Sequence, residues 1–368
     1  MSRLAIIVLA LAVTLLCCAR MAAAAPAAGT RNQPPQAGTA EPFLLGLPEQ
    51  AGPLVVEAHF DFYDINEIND GAETFEFTGV ITLKWKDPRM AFDPAVDGVD
   101  EKIFQGDYQF NELATGWYPQ VVLVNEAGNF EMGSVILRVE PDGTSILVQT
   151  MDATAEVEFN MSRYPFDKHR LKAVFEVLGY DRDEVLMRVE KGGPGPSAGE
   201  TRVPQWIVTG VHESVRERPA SYAGQLGVSS TFVVSVDAMR VPFFVMRLVV
   251  FPLVVIVLLS FTVFWMDRSS LGDRINVSFI GILTGVAYIL VTSDQLPHIS
   301  YVTLMHGFLN VSFLTMCATV VANLVVGGLD KQGKFELGDR IDRACRWIFP
   351  LAYFGWILIM FGVAMIIY

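Results

Sequence analysis

Cysteine is nearly missing from this chain of 368 residues: there are four, at Cys17, Cys18, Cys317 and Cys345, with none between the second and the third. That gap excludes a disulfide framework for the long middle stretch, which must hold itself together by burying apolar surface. The short motifs of common catalytic sites are missing too. There is no GxSxG, no HExxH, no phosphate loop and no Cys/His cluster. His59, His169 and His212 stand far apart in sequence and read as surface or packed histidines rather than metal ligands. An enzyme is not expected, and neither is a cofactor, a bound metal or a nucleic-acid partner.

Charge is the next scarcity, and it is local. The runs Leu248–Met266, Ile275–Ser293, Gln295–Leu329 and Trp347–Tyr368 carry no ionised side chain. A bilayer core needs about 20 helical residues to cross, so the spacing predicts four transmembrane helices, about 241–266, 275–293, 301–327 and 341–368. Nothing comparable lies between Ala27 and Val241. The first 25 residues combine Arg3, an apolar core from Leu4 and small residues near Ala23–Ala25, the pattern of a secretory signal peptide; an N-terminal anchor is the competing reading. Residues 26–240 hold 17 Lys and Arg against 33 Asp and Glu, so the acidic excess belongs to the segment that export would place outside. Basic residues collect in Met266–Arg274 and Asp330–Arg346 and avoid Asp294–Tyr301, which puts those two basic connections in the cytoplasm and Asp294–Tyr301 and the N-terminal half outside.

Residues 26–53 are rich in Ala, Pro, Gly and Gln and are expected to form a flexible N-terminal segment. From 54 to 240 the chain reads as short strands. "FEFTGVITLKW" (Phe75–Trp85) alternates apolar and polar residues, and similar pieces are Val121–Val124, Val135–Val139, Ser145–Thr150, Glu156–Met161, Arg170–Val177, Val185–Val189, Gln205–His212 and Thr231–Val236. Turns are expected at "EAGN" from Glu126, "PDG" from Pro141 and "KGGPGPSAGE" from Lys191. Many short strands without helical periods predict an all-β sandwich, here followed by a four-helix transmembrane bundle.

Ser162–His169, "SRYPFDKH", resembles the membrane-facing loop of the pentameric ligand-gated ion channels, the superfamily of nicotinic acetylcholine receptors and their prokaryotic relatives. Tyr164-Pro165-Phe166-Asp167 is the core of that motif; Val157 and Leu171 stand where animal members carry a cysteine pair. "AETFEFTGVITLKWKDPRMAFDPA" (Ala72–Ala95), "WYPQVVLVNEAGN" (Trp117–Asn129), Arg240, Pro252 and "QLPHISY" extend the resemblance, most closely to proton-gated bacterial members. It implies a homopentamer in a bacterial plasma membrane, each chain partnered by four identical subunits and by lipid, opening to an extracellular stimulus. It implies a coupling set of Asp70, Tyr164, Pro165, Phe166, Asp167, Arg240 and Pro297, with Asp167 paired to Arg240 and Asp70 as a third member.

Steps of three and four from Asp273 reach Asn276, Ile280, Leu283, Ala287, Leu290 and Asp294, one stripe along a helix. Asp273 and Asp294 are 21 residues apart, ~31 Å of helix, close to the hydrocarbon thickness. Around a fivefold axis the stripe becomes a pore wall with carboxylate rings at both mouths, a device for passing monovalent cations. Ile280 and Leu283 form an apolar neck that can gate by dewetting, and Leu283 matches the family's central leucine. Gly272-Asp273-Arg274 resembles the small-acidic-basic order at the inner mouth of the family's cation channels, which implies that Arg274 points away from the lumen. The bland alternative is a stripe buried between helices, its aspartates anchoring the ends.

The stimulus is written less clearly. Leu178 stands where the family's aromatic cage has a Trp and Val124 replaces a Tyr, leaving Tyr180 and Tyr222 as remnants. Glu67, Asp70, Glu73 and Glu76 crowd into ten residues, and Glu73 matches a glutamate implicated in proton sensing in relatives. Gly285 replaces a membrane histidine of a proton-gated relative. Protons, a small organic agonist and modulation by Ca²⁺ all remain open, as does a receptor that signals without conducting.

Overall fold

The computed structural model describes residues 46–113, 116–191, 203–220, 227–267, 271–293 and 301–367. The elements below belong to one compact unit, Leu47–Tyr368. The expected signal segment, residues 26–45 of the expected N-terminal segment, Tyr222, Asp294 and Pro297 lie outside the described residues.

Ten strands are described before the first long helix: β1 (Leu54–Asn69), β2 (Thr74–Lys86), β3 (Lys102–Gln105), β4 (Val121–Leu123), β5 (Glu126–Val139), β6 (Thr144–Glu156), β7 (Lys168–Val177), β8 (Val185–Val189), β9 (Trp206–Pro219) and β10 (Val228–Arg240). They form two sheets, in the orders β3-β5-β6-β2-β1-β8 and β4-β7-β10-β9. All described pairs are antiparallel except β1 with β8. The alternation in β2 does what its period demands: Phe75, Phe77, Ile81, Leu83 and Trp85 are buried. Phe60 of β1 stacks on Phe175 of β7 at 5.4 Å, joining the two sheets through the core. Gly79 makes room for that ring, since a Cβ there would lie 2.4 Å from Phe60 Cζ.

Two expectations fail here. Glu156–Met161 is not a strand; β6 ends at Glu156. Val157, Phe159 and Met161 are nonetheless buried and their neighbours exposed, so an extended segment docked on the core carries the period of a strand. "EAGN" is not a turn but the start of β5, with a register shift between Glu126 and Phe130. Asn125 supplies the turn just before it. Its side chain donates to the carbonyls of Glu156 (2.8 Å) and Lys172 (2.7 Å) and accepts from Val174 N (3.0 Å).

Four long helices follow: α1 (Phe243–Trp265), α2 (Leu271–Ser293), α3 (Leu304–Lys331) and α4 (Phe335–Ile367). Among the described residues α1, α2 and α3 are long and apolar enough to cross a membrane. The fourth apolar run forms the later part of α4. Its charged first turns, which the charge-free run leaves out, extend it back to Phe335. For the same reason α2 starts at Leu271 rather than 275, with Asp273 in its first turn, and α3 runs on to Lys331. In α1 a π-turn at Met246–Val250 precedes Pro252. Proline cannot donate to the carbonyl four residues back. That carbonyl, of Leu248, accepts instead from the Tyr288 hydroxyl of α2.

Candidate pore helix and coupling junction

The two faces of α2 differ sharply. Asp273, Asn276, Ile280, Leu283, Ala287 and Leu290 are all exposed in the single chain, Ile280 at 63%, Leu283 at 71% and Leu290 at 66%. Arg274, Ser278, Gly285 and Thr292 are buried. Overall 17% of the apolar window of α2 is buried, against 44% for α1 and 39% for α3. An apolar row left uncovered by its own chain needs a partner surface or an axis.

The buried face is stitched to the other helices. Arg274 Nη2 donates to Asp342 Oδ1 of α4 at 2.6 Å, and its Nε donates to the Val263 carbonyl of α1 at 3.1 Å. Ser278 donates to the Arg274 carbonyl and accepts from Asn323 Nδ2 of α3 at 3.1 Å. Gly285 faces Met316 of α3, whose Cε would lie 2.4 Å from an added Cβ. Arg274 therefore points away from the exposed stripe, and Asp273 beside it does not.

Where the strands meet the helices, Arg240 at the end of β10 is 4% exposed. Its Nε lies 2.9 and 3.2 Å from the Asp167 oxygens and its Nη2 lies 2.8 Å from Asp70 Oδ2. Tyr164 and Trp206 cover the guanidinium with their rings, centroids 4.9 and 4.2 Å away. His169 Nε2 sits 2.6 Å from the second Asp167 oxygen. Burial opposes the charge on Asp167, but His169 and Arg240 outweigh it and hold the carboxyl below the usual range. Burial likewise pushes the Tyr164 hydroxyl up to about 12. A cavity of about 260 Å³ opens beside the group, lined by Asp70, Tyr164, Gln205, Trp206, Arg240 and Val249 among others.

The loop that carries Asp167 also grips the helices. Pro165 and Phe166 stand with Met246 and Val250 of α1, Met305 and Phe308 of α3 and Ile357 of α4 around one apolar gap. Leu304 N donates to the Ser162 carbonyl at 3.0 Å. Tyr301, just before α3, accepts from Met161 N at 2.8 Å. From the sequence, Trp206 has no role, Tyr301 stands only within "QLPHISY", and His169 is a surface or packed histidine, which its burial bears out without its partner being foreseen. That pairing could have been found, since Asp167 and His169 are two residues apart where the chain turns extended and share a face.

The acidic cluster stays on one hairpin, but its members meet different partners. Asp70 is taken up by Arg240, Glu67 and Glu76 pair across β1 and β2, and Glu73 sits in the intervening turn with φ +57°. Asn69 Nδ2 donates to Glu67 at 3.1 Å. Tyr180 is held within the fold, its hydroxyl accepting from Trp117 Nε1 at 2.9 Å. Among the described residues a different carboxylate has its proton affinity raised. Glu213 of β9 is 4% exposed in its side chain, and burial pushes its pKa up. Phe60 N (2.8 Å) and His59 Nδ1 (3.0 Å) face it, which offsets the shift in part, while nearby Asp61 adds to it. Among the described residues no group of three or more His, Cys, Asp and Glu side chains could hold a metal ion.

Comparison with known proteins agrees with this arrangement. Residues 45–236 match the neurotransmitter-gated ion-channel ligand binding domain, and residues 249–334 match the neurotransmitter-gated ion-channel transmembrane region. A proton-gated ion channel of Gloeobacter violaceus is 24% identical over 301 residues, 82% of this chain and 80% of that protein. The gamma-aminobutyric acid receptor subunit rho-3 of Homo sapiens is 24% identical over 299 residues, 79% of this chain and 62% of the receptor subunit. The pH-sensitive chloride channel 2 of Anopheles gambiae is 24% identical over 263 residues, 68% of this chain and 42% of that channel. With a strand sandwich matching the first domain and helices matching the second, the chain belongs to the neurotransmitter-gated ion channels, a family of pentameric ligand-gated channels.

Proposed function

We propose that five copies of this chain surround a pore lined by α2 and pass monovalent cations when the outer domain is acidified. The observation that carries the reading is the contrast on α2: the row through Leu283 lacks cover in the single chain, while the adjacent cation, Arg274, is buried against α4. With Asp273 on the uncovered row, a fivefold ring gives a cation about 5 Å from each carboxylate on the order of 4 kcal/mol at water-like dielectric, before screening. Ile280 and Leu283 then make an apolar constriction that closes by dewetting.

Force would pass from the sandwich to the pore through Arg240, Asp167 and the Tyr164–Phe166 loop, which touches α1, α3 and α4. The placement is a bacterial plasma membrane with residues 54–240 outside, after removal of residues 1–25. Support for protons as the stimulus comes from Glu213 and from the proton-gated relative. Protons open the channel only insofar as the open state binds them more tightly than the closed one. Glu67, Asp70 and Glu73, near the junction, are secondary candidates.

Chloride passage is the second reading, since one of the relatives named is a chloride channel; Asp273 and the burial of Arg274 favour cations. The test is a pH jump from 8 to 4 on the full chain in oocytes or liposomes, with Leu283→Ser beside the wild type. The expected results are an acid-activated inward sodium current and a variant that leaks or opens at milder pH. Surface protein that stays silent in both forms contradicts conduction, and a current that reverses with chloride contradicts cation selection.

A further inference from the structure

We infer that Asp342, on α4, is a positioning residue for ion selection: it holds Arg274 out of the cytoplasmic mouth so that Asp273 alone sets the sign of the charge there. The inference rests on the pore reading above.

Asp273 and Arg274 are neighbours on the first turn of α2, and their formal charges would cancel if both side chains reached the passage. Arginine is long enough to do so, since its stem follows apolar surface while its head seeks water or an anion. In this fold it is 1% exposed. Asp342, 2% exposed, takes its Nη2 at 2.6 Å. The second Asp342 oxygen lies 3.6 Å from Arg346 Nη2. Both arginines also donate to the last turn of α1, Arg274 to the Val263 carbonyl and Arg346 Nε to the Phe264 carbonyl at 2.7 Å. A helix C-terminus carries unpaired carbonyls and a partial negative charge, so α1 ends in a socket for cations that Asp342 completes.

Stability alone does not call for this group. A buried ion pair is commonly replaceable by apolar residues at little or no loss, whereas removing one partner strands the other's charge. The arrangement instead fixes where a cation goes, on the same helix turn as the proposed mouth. The residue that fixes it sits on α4, where Trp347, Leu351 and Leu358 are exposed.

The experiment measures the sodium-to-chloride permeability ratio from reversal potentials in diluted NaCl, on full-length wild type, Asp342→Asn, Asp342→Glu and the double variant Arg274→Gln with Asp342→Asn. Surface labelling confirms assembly. Freeing five guanidinium groups near the mouth is expected to lower the ratio about tenfold in Asp342→Asn. Asp342→Glu keeps the wild-type ratio, and the double variant, which has no Arg274 charge to free and keeps Arg346 on the Phe264 carbonyl, returns to it. Where Asp342→Asn alone does not reach the surface, wild-type RNA is mixed in and the same ratio is read on the mixed assemblies. An unmoved ratio in Asp342→Asn, or a shift that the double variant retains, overturns the inference. A wild type that passes no current or prefers chloride refutes the pore reading itself before any variant is compared.

Discussion

Replacing Asp167 with Asn removes a charge from the junction and keeps the side chain's shape. The carboxylate is 2% exposed, with Arg240 Nε at 2.9 and 3.2 Å and His169 Nε2 at 2.6 Å. Removing one partner of a buried pair typically costs about 3–5 kcal/mol, because the other charge is stranded. Here Arg240 keeps Asp70 at 2.8 Å, on a carboxylate 30% exposed, and the rings of Tyr164 and Trp206. The loss is therefore expected at the lower end, about 3 kcal/mol, with a coupling energy of about 2 kcal/mol in a cycle with Arg240→Gln. Thermal unfolding of the purified assembly in detergent reads it. The pH dependence supplies a sign. Asp167 has its pKa lowered by folding, so its contribution is complete above the unfolded value of about 3.9 and disappears as pH falls through the folded value. The gap between wild type and Asp167→Asn should thus be full at neutral pH and close in strong acid. A variant within about 0.5 kcal/mol of wild type at pH 7, or a gap that survives below the carboxylate range, refutes the reasoning.

Two further outcomes follow from the same geometry. Asp273→Lys turns the inner ring positive and should reverse the preference from sodium to chloride in dilution-potential recordings; an unchanged reversal potential places Asp273 off the lumen. Glu213→Gln mimics the protonated carboxyl. Because folding raises the Glu213 pKa, the wild type gains stability as pH falls through the window above about 4.3 and loses it as pH rises. The variant should keep that stability at neutral pH, with a shallower pH–Tm slope and an activation curve moved toward neutral; a curve superimposable on wild type removes Glu213 from sensing.

What the sequence could and could not disclose follows from the range of the interactions. The exposed row on α2 was legible because helical period is local: Asp273, Asn276, Ile280, Leu283, Ala287 and Leu290 share a face whatever they pack against. The strands of the sandwich showed for the same reason, and the same logic misled at Val157–Met161, where a docked extended segment alternates as a strand does. Asn125 replaced the expected "EAGN" turn because its three hydrogen bonds reach β6 and β7, which spacing cannot reveal. Asp167 with Arg240 came through the resemblance and not through any local pattern. Arg274 with Asp342 and Glu213 with His59 had no local signal at all, being brought together across 68 and 154 positions by the packing of helices and sheets. The acidic crowd stays on the β1–β2 hairpin, where Arg240 draws off Asp70 and Glu67 lies opposite Glu76.

The central claim is that the α2 row faces a shared aqueous axis. In a background with Cys317 and Cys345 replaced, single cysteines at Ile280, Leu283, Ala287 and Leu290, and at the buried positions Ser278 and Gly285, can be tested with a charged thiol reagent during acid activation. Rapid block at the first four and none at the last two is the predicted pattern. Equal protection of both faces, or block at 278 and 285 instead, contradicts it.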